Sequence, residues 1–288
     1  MTNNPLHASC YADSAVHAEA CEVLENVQVA QATFRMRFRC AALAERMLPG
    51  QFFMVRVTGC DDPLIGRPFA FYDGDADWVD FVYLVEGKMT TRLARMSAGE
   101  QVDVWGPLGN GFLPQPCKHL IMVAGGIGQT PFLAVARERL GSATYGSPAR
   151  AAETAESVTL CYGARTRERL AGVEDFRAAG VDVQIATDDG SEGHHGFVTD
   201  LLNRRLDQST EGVNILCCGP EPMMAAVSQI AIDRGVPCWA SLEEPMACGV
   251  GICFTCVAKI KDASGEWDYK RTCVEGPVFA ASSIDWSH

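Results

Sequence analysis

No run of about 18 apolar residues, the length a membrane-spanning helix needs, occurs anywhere in this 288-residue sequence. Its opening residues, Met1-Thr-Asn-Asn-Pro5, lack the basic and apolar regions of a secretory signal. The chain is therefore expected in the cytoplasm, with no membrane partner. Cations are scarce as well: 24 Lys and Arg stand against 36 Asp and Glu, for a formal net charge of -12. Such a field repels nucleic acid and anionic surfaces, so neither is expected as a partner, whereas a protein with a basic patch is compatible with it. Internal repeats are missing too. Apolar residues make up 48% of the chain, ample for the cores of two or three domains.

Cysteine, in contrast, is abundant, with 13 residues. An odd number scattered along a chain of this kind is not a disulfide framework. Several stand in apolar runs, such as Leu160-Cys161-Tyr162 and Ile215-Leu216-Cys217-Cys218, where a buried thiol acts as a small hydrophobe. Four are different. Cys248, Cys253 and Cys256 share one glycine-bearing loop, and Cys273 follows after sixteen residues. This is the spacing of a plant-type [2Fe–2S] cluster. Three thiolates on a tight loop reach both irons from one side, and a fourth from a separate segment closes the cage. A structural zinc site also uses four thiolates, but it usually pairs two Cys-x2-Cys knuckles, and only Cys253 and Cys256 form one here. Gly249 and Gly251 let backbone amides turn toward a negative cluster. Because such a cluster moves one electron at a time, the rest of the chain has to supply and remove electrons.

The pattern along the chain divides it into four parts. Residues 1–21 are polar and alanine-rich and read as an N-terminal extension. Residues 22–115 hold short alternating segments, at 26–38, 51–57, 78–85 and 101–105, broken by Gly, Pro and Asp turns. These predict a small antiparallel β-barrel, interrupted by a helix near 90–96. Residues 116–236 change character, with apolar runs at 119–124, 158–162, 181–186 and 213–218 alternating with helical patterns at 131–140, 168–179, 198–206 and 222–234. That alternation predicts an α/β domain with a parallel sheet. Residues 237–288 form a small cluster domain that the metal itself would hold together.

Two turns and one hexapeptide carry the remaining chemistry. Gly125-Gly126-Ile127-Gly128-Gln129-Thr130-Pro131 follows a buried strand and opens a helix, the setting in which backbone amides hold a pyrophosphate. Cys218-Gly219-Pro220 ends another strand where a nicotinamide would lie, although taken alone it is equally a strand-to-helix cap. Arg67-Pro68-Phe69-Ala70-Phe71-Tyr72 in isolation is an edge strand with a surface arginine. Beside a nucleotide turn and a cluster it reads as a flavin site, with Arg67 countering phosphate charge. Electron counting points the same way: nicotinamide exchanges two electrons as hydride, the cluster exchanges one, and a flavin connects them.

With these residues the chain resembles the ferredoxin–NADP reductase superfamily and, within it, the electron transfer subunits of dihydroorotate dehydrogenase B. The resemblance covers about residues 22–280. It rests on the order of Arg67-Pro68, Gly87-Lys-Met-Thr90, Gly106-Pro-Leu-Gly-Asn-Gly111, the two turns, and Ser241-Leu-Glu-Glu244 running into the cysteine loop. It implies FAD lined by Arg67, Pro68, Phe69, Ala70, Val82, Tyr83, Leu84, Met89 and Thr90. NAD would be held by Gly125, Gly126, Gly128, Thr130, Pro131, Cys218, Gly219 and Pro220, and the cluster by Cys248, Cys253, Cys256 and Cys273. It further implies an NAD-linked oxidoreductase subunit of pyrimidine biosynthesis that does not itself oxidise dihydroorotate. An FMN-containing catalytic subunit would be its partner, in a heterotetramer with two of each chain. Electrons would pass through the cluster and FAD to NAD+. Three flavin-site residues depart from the family's pattern: Ala70 replaces a serine or threonine, Leu84 an arginine and Met89 a glycine. Two other readings stay open, a reductase serving a hydrogenase, sulfide dehydrogenase or ferredoxin oxidoreductase complex, and a redox-sensing module with a degraded flavin site. No basic pair is evident for a 2′-phosphate, which favours NAD, although Arg165 and Arg167 follow a strand and could serve one.

Overall fold

The computed structural model describes residues 16–208 and 210–287. Most of the expected N-terminal extension lies outside the described residues. The first unit comprises β1 (His17–Ala30), β2 (Thr33–Arg39), α1 (Ala41–Ala44), β3 (Phe52–Val57), β4 (Arg67–Ala70), β5 (Asp73–Asp75), β6 (Trp78–Leu84), α2 (Lys88–Leu93) and β7 (Gln101–Leu108). Its strands form one antiparallel sheet in the order β4-β3-β7-β1-β2-β6-β5. The sheet curls into a half-barrel because β1 is long enough to pair with β7 through its first part and with β2 through its second. A register shift between Val23 and Glu25 gives the bend. Phe69 of β4 and Phe81 of β6, far apart in the strand order, consequently meet with ring centroids 4.6 Å apart. Phe38, Phe53 and Phe81 fill the interior in edge-to-face contacts.

Two expectations change here. Residues 17–21 are not extension but strand, with His17–Cys21 paired against Gly106–Val102 of β7. The segment 26–38 is not one strand but the arms of a hairpin folding at Gln31-Ala32. Ala32 takes φ 52 there, a left-handed turn without the usual glycine or asparagine signal.

The second unit contains β8 (His119–Gly125), α3 (Phe132–Arg139), β9 (Ser157–Ala164), α4 (Val173–Ala178), β10 (Asp182–Thr187), β11 (His194–His195), α5 (Val198–Leu206), β12 (Val213–Cys218), α6 (Glu221–Arg234) and β13 (Cys238–Ser241). The chain then leaves for the hairpin β14 (Val257–Lys261) and β15 (Trp267–Arg271), and returns as β16 (Val278–Ala280). The sheet order is β11-β10-β9-β8-β12-β13-β16, parallel except for β16. The boundary expected at residue 236 therefore moves. β13 and β16 complete the nucleotide sheet, and the cysteine loop with its hairpin is an excursion between them. β13 escapes the sequence pattern because Cys-Trp-Ala-Ser is four residues long and not an apolar run.

Polar contacts join the two large units. Tyr72 donates to Asp175 at 2.7 Å, and Asp73 accepts from Arg137 at 2.6 Å and from Tyr145 at 3.3 Å. Burial raises the Asp73 carboxyl above its ordinary range, while Arg137 pulls it back. Its side chain is 8% exposed, so the carboxylate depends on this partner. Arg137→Ala should cost about 3 kcal/mol by stranding that charge. Adding Asp73→Asn should recover at least half of the loss in thermal unfolding; a double variant as unstable as the single would contradict the assignment.

Candidate functional site

β8 and β12 lie side by side, with Ala124 opposite Cys218. The chain runs outward from β8 to β9 and β10 on one side, and to β12 and β13 on the other. In such a sheet the crevice beyond the carboxyl ends at this reversal is where ligands bind. The two glycine turns meet there backbone to backbone. A Cβ on Gly128 would lie 2.3 Å from the Cys218 carbonyl oxygen, and one on Gly219, at φ 145, would lie 2.8 Å from the Gly125 nitrogen. Above them opens a cavity of about 1020 Å³ lined by Gly125, Gly126, Gly219 and Pro220, with Tyr162, Arg165, Arg169 and Asp188 also on its walls. Gly128 lines neither this cavity nor the next; its place is in the turn contact. Of the two arginines considered for a 2′-phosphate, Arg165 reaches the cavity and Arg167 does not. Asp188 shares that wall, and a carboxylate there suits ribose hydroxyls and repels phosphate.

A second cavity, of about 510 Å³, lies between the half-barrel and the nucleotide sheet. All nine residues expected around FAD line it, together with Thr130, Pro131 and Cys218. β4, β6 and the turn into α2 bring them together. Strand alternation separates their roles. Phe69 and Tyr83 belong to the barrel core and meet edge to face with centroids 5.9 Å apart, so their contribution to the cavity is mainly backbone. Val82 and Leu84 face the other way. Met89 is 1% exposed and packs in the barrel core, so its side chain does not obstruct the approach that a glycine leaves open. Thr90 Oγ1 accepts from the amides of Glu86 and Gly87 at 3.0 and 3.1 Å, which fixes the turn. Arg67 is exposed and donates to the carbonyls of Ile65 and Gly66. Leu84 and Ala70 bring neither charge nor hydroxyl. The lining fits a flavin, and Arg67 and Lys88 are the cations on it.

The two cavities share Leu84, Glu86, Ile127, Leu242, Glu243 and Glu244. Glu243 is enclosed by protein and reached by solvent through the cavities. Burial raises its carboxyl above the usual range, and the Cys218 thiol, 3.7 Å away, lowers it. Burial likewise pushes the Cys218 thiol well up, and the Glu243 carboxylate pushes it further. A neutral thiol and a carboxyl able to hold a proton thus face the junction. The sequence reading quoted Glu243 in a motif without giving it this place; a glutamate pair just after a sheet strand is the signal available.

Met246 lines the flavin cavity, and Cys248 follows two residues later. Cys256 and Cys273 are buried, Cys248 half-buried and Cys253 exposed. The Cys253 thiol is hydrogen-bonded to Cys248 and the Cys273 thiol to Cys256, with Cys248 also acting on Cys273 at longer range. A tetrahedral zinc would gather its thiolates within ~3.8 Å of one another. Among the described residues, no three of these thiols meet even within 4.8 Å. Two pairs at two centres is the donor set of a binuclear cluster. Trp105 Nε1 donates to the Cys248 carbonyl at 3.0 Å and pins the loop to β7. Gly251, at φ 80, packs where a Cβ would meet Val274 at 2.4 Å. Hydrogen bonds from Thr255 lower the Cys253 thiol to about 6, whereas burial raises Cys273 to about 12. Phe254, at φ 58, holds its ring outward.

Two substitutions test these assignments. Gly128→Ala should raise KM for NADH at least tenfold, about 1.4 kcal/mol, with flavin content unchanged, since the added methyl forces the turns apart; an unchanged KM would contradict the turn contact. Leu84→Arg should tighten FAD roughly tenfold by adding a charge-assisted hydrogen bond, as read by flavin fluorescence during titration of the deflavinated protein.

Comparison with known proteins gives a consistent result. The model of an oxidoreductase FAD-binding domain matches residues 20–112, and that of an oxidoreductase NAD-binding domain matches residues 122–229. The iron-sulfur cluster binding domain of dihydroorotate dehydrogenase B matches residues 243–285. The electron transfer subunit of dihydroorotate dehydrogenase B (NAD(+)) from Geobacillus sp. (strain WCH70) is 34% identical over 92% of this chain and 98% of its own length. The one from Desulforamulus reducens is 35% identical over 92% of this chain and 97% of its own length. Among solved structures, the NADH-dependent reduced ferredoxin-NADP oxidoreductase superposes with a TM-score of 0.78 at 28% identity, covering 92% of this chain and 90% of that one. The ferredoxin reductase of carbazole 1,9a-dioxygenase, at 21% identity, a TM-score of 0.66 and 78% and 68% coverage, shares the fold. The chain belongs to the family of dihydroorotate dehydrogenase B electron transfer subunits.

Proposed function

We propose that this chain carries electrons from a dihydroorotate-oxidising partner subunit to NAD+. One observation carries the reading: the flavin cavity is walled by all three units, with the nucleotide turns on one side and Met246 of the cluster loop on another. When bound, FAD supplies the exchange between single electrons and hydride, and the cluster supplies the single-electron relay. The chain's own residues position these groups. Arg67, Pro68, Ala70, Val82 and Leu84, with the backbone of Phe69, Tyr83, Met89 and Thr90, hold the flavin. Gly125, Gly126, Gly219 and Pro220 hold the nucleotide, with Gly128 keeping their turns together. Thr130, Pro131 and Cys218 stand at the border, where Glu243 can hold a proton. Cys248, Cys253, Cys256 and Cys273 would hold the cluster.

The exposed Cys253 lies between Ile252 and Phe254, which are 77% and 63% exposed. Apolar side chains of this size in the open are a docking surface, here for the catalytic partner. We take that partner to contain FMN and the assembly to hold two of each chain, in the cytoplasm. No helix among the described residues is long and apolar enough to cross a membrane. The functional units run from 17 to about 115, from 116 to 241 with 278–287, and from 242 to 277.

The complex purified with its catalytic subunit should reduce NAD+ at the expense of dihydroorotate. Cys253→Ser should lower that rate by roughly two orders of magnitude and leave NADH-driven reduction of a small artificial acceptor within about twofold. Equal loss of both activities would contradict the order of carriers, and copurification with a chain lacking FMN would contradict the partner.

A further inference from the structure

At the far end of the half-barrel, His17, Glu19 and Cys21 alternate along β1 and so share one face, with Cys21 buried, His17 half-buried and Glu19 exposed at the rim. Cys40, between β2 and α1, closes on them from the other side. His17 Nε2 lies 3.1 Å from Glu19 Oε1, and Cys40 Sγ lies 2.8 Å from the same oxygen. Imidazole nitrogen, carboxylate oxygen and thiol sulfur all fall within 4.8 Å of one another. The His17 contact is at ion-pair distance. Its Nε2 is buried and has no hydrogen-bond partner. A buried ring nitrogen left unpaired is costly. Here it converges with two further lone-pair donors on one point.

We propose that His17, Glu19 and Cys40 form a binding site for a divalent transition metal of borderline softness, with zinc the best match. One nitrogen, one oxygen and one sulfur are the donor types of three-ligand zinc sites, which keep a fourth position for water. Cys40 is 3% exposed and forms the floor, while His17 and Glu19 open to solvent and provide the entry. The Cys21 thiol rests against Cys40 and can donate to its thiolate. As the metal–sulfur bond forms, the thiol proton of Cys40 leaves to solvent. The metal would tie the start of β1 to the β2–α1 corner, and the site is separate from the four cysteines of the cluster.

The test uses holoprotein with flavin and cluster in place, stripped of loosely held metal, incubated with Zn2+ and desalted. Metal analysis should find about one zinc per chain with the iron content unchanged. Zinc X-ray absorption should show nitrogen or oxygen near 2.0–2.1 Å and a single sulfur near 2.3 Å. His17→Ala and Glu19→Gln, both at solvent-reachable positions, should each weaken zinc binding at least tenfold while iron and flavin contents confirm folding. Retention no greater than in His17→Ala overturns the proposal. So does a shell of three or four sulfurs accompanied by loss of iron, which would place the zinc in the cluster loop.

Discussion

The arrangement depends on one side chain that links the three units, Asn110. It sits in the loop after β7, and its Nδ2 donates to the carbonyls of Glu275 and Val278 at 3.2 and 2.9 Å, while its Oδ1 accepts from the Val278 amide at 3.1 Å. Its own backbone amide donates to Gly276 at 2.7 Å. In effect one amide side chain imitates a length of β-strand and binds the segment that carries Cys273 and β16. The excursion between β13 and β16 has little core of its own. The seam adds to the β13–β16 pairing and the Thr272–Cys256 backbone bond in fixing the fourth cluster ligand. With it, the distance from cluster to flavin cavity is set by the protein.

That geometry explains why the site is composite. Neither large unit encloses a flavin alone: β4 and β6 supply one wall, and Thr130, Pro131 and Cys218 supply another. The buried Asp73–Arg137 contact and the Tyr72–Asp175 hydrogen bond keep these walls in register. Glu243 then occupies the junction because β13 ends just before it. The acidic pair thereby lines both cavities.

The cluster cysteines, both glycine turns and the alternation of barrel and α/β units were legible because each depends on local spacing or period. What depended on distant partners was not. His17–Cys21 read as a tail because its residues are mostly polar or small and, Cys21 apart, not buried, so only the pairing with β7 makes them a strand. β13 and β16 have four and three residues, and each exists only because the other and β12 offer hydrogen bonds. Met89 looked like an obstacle to flavin since sequence gives residue type but not direction, and the structure turns its side chain into the core. Leu84 and Ala70, by contrast, do face the cavity side, so there the departure from the family's pattern keeps its chemical meaning.

The uneven exposure of the four thiols has a consequence for biogenesis. Three of them are wholly or partly enclosed, and the pocket opens on the side of Cys253 and Phe254 alone. Iron and sulfide reach the ligands most directly from that side, and the same apolar rim is the one the proposed partner would cover. Loading and complex formation therefore compete for one surface. If the proposed partner docks on that rim, shape imposes the order of events: the cluster goes in first, and the partner closes the door behind it.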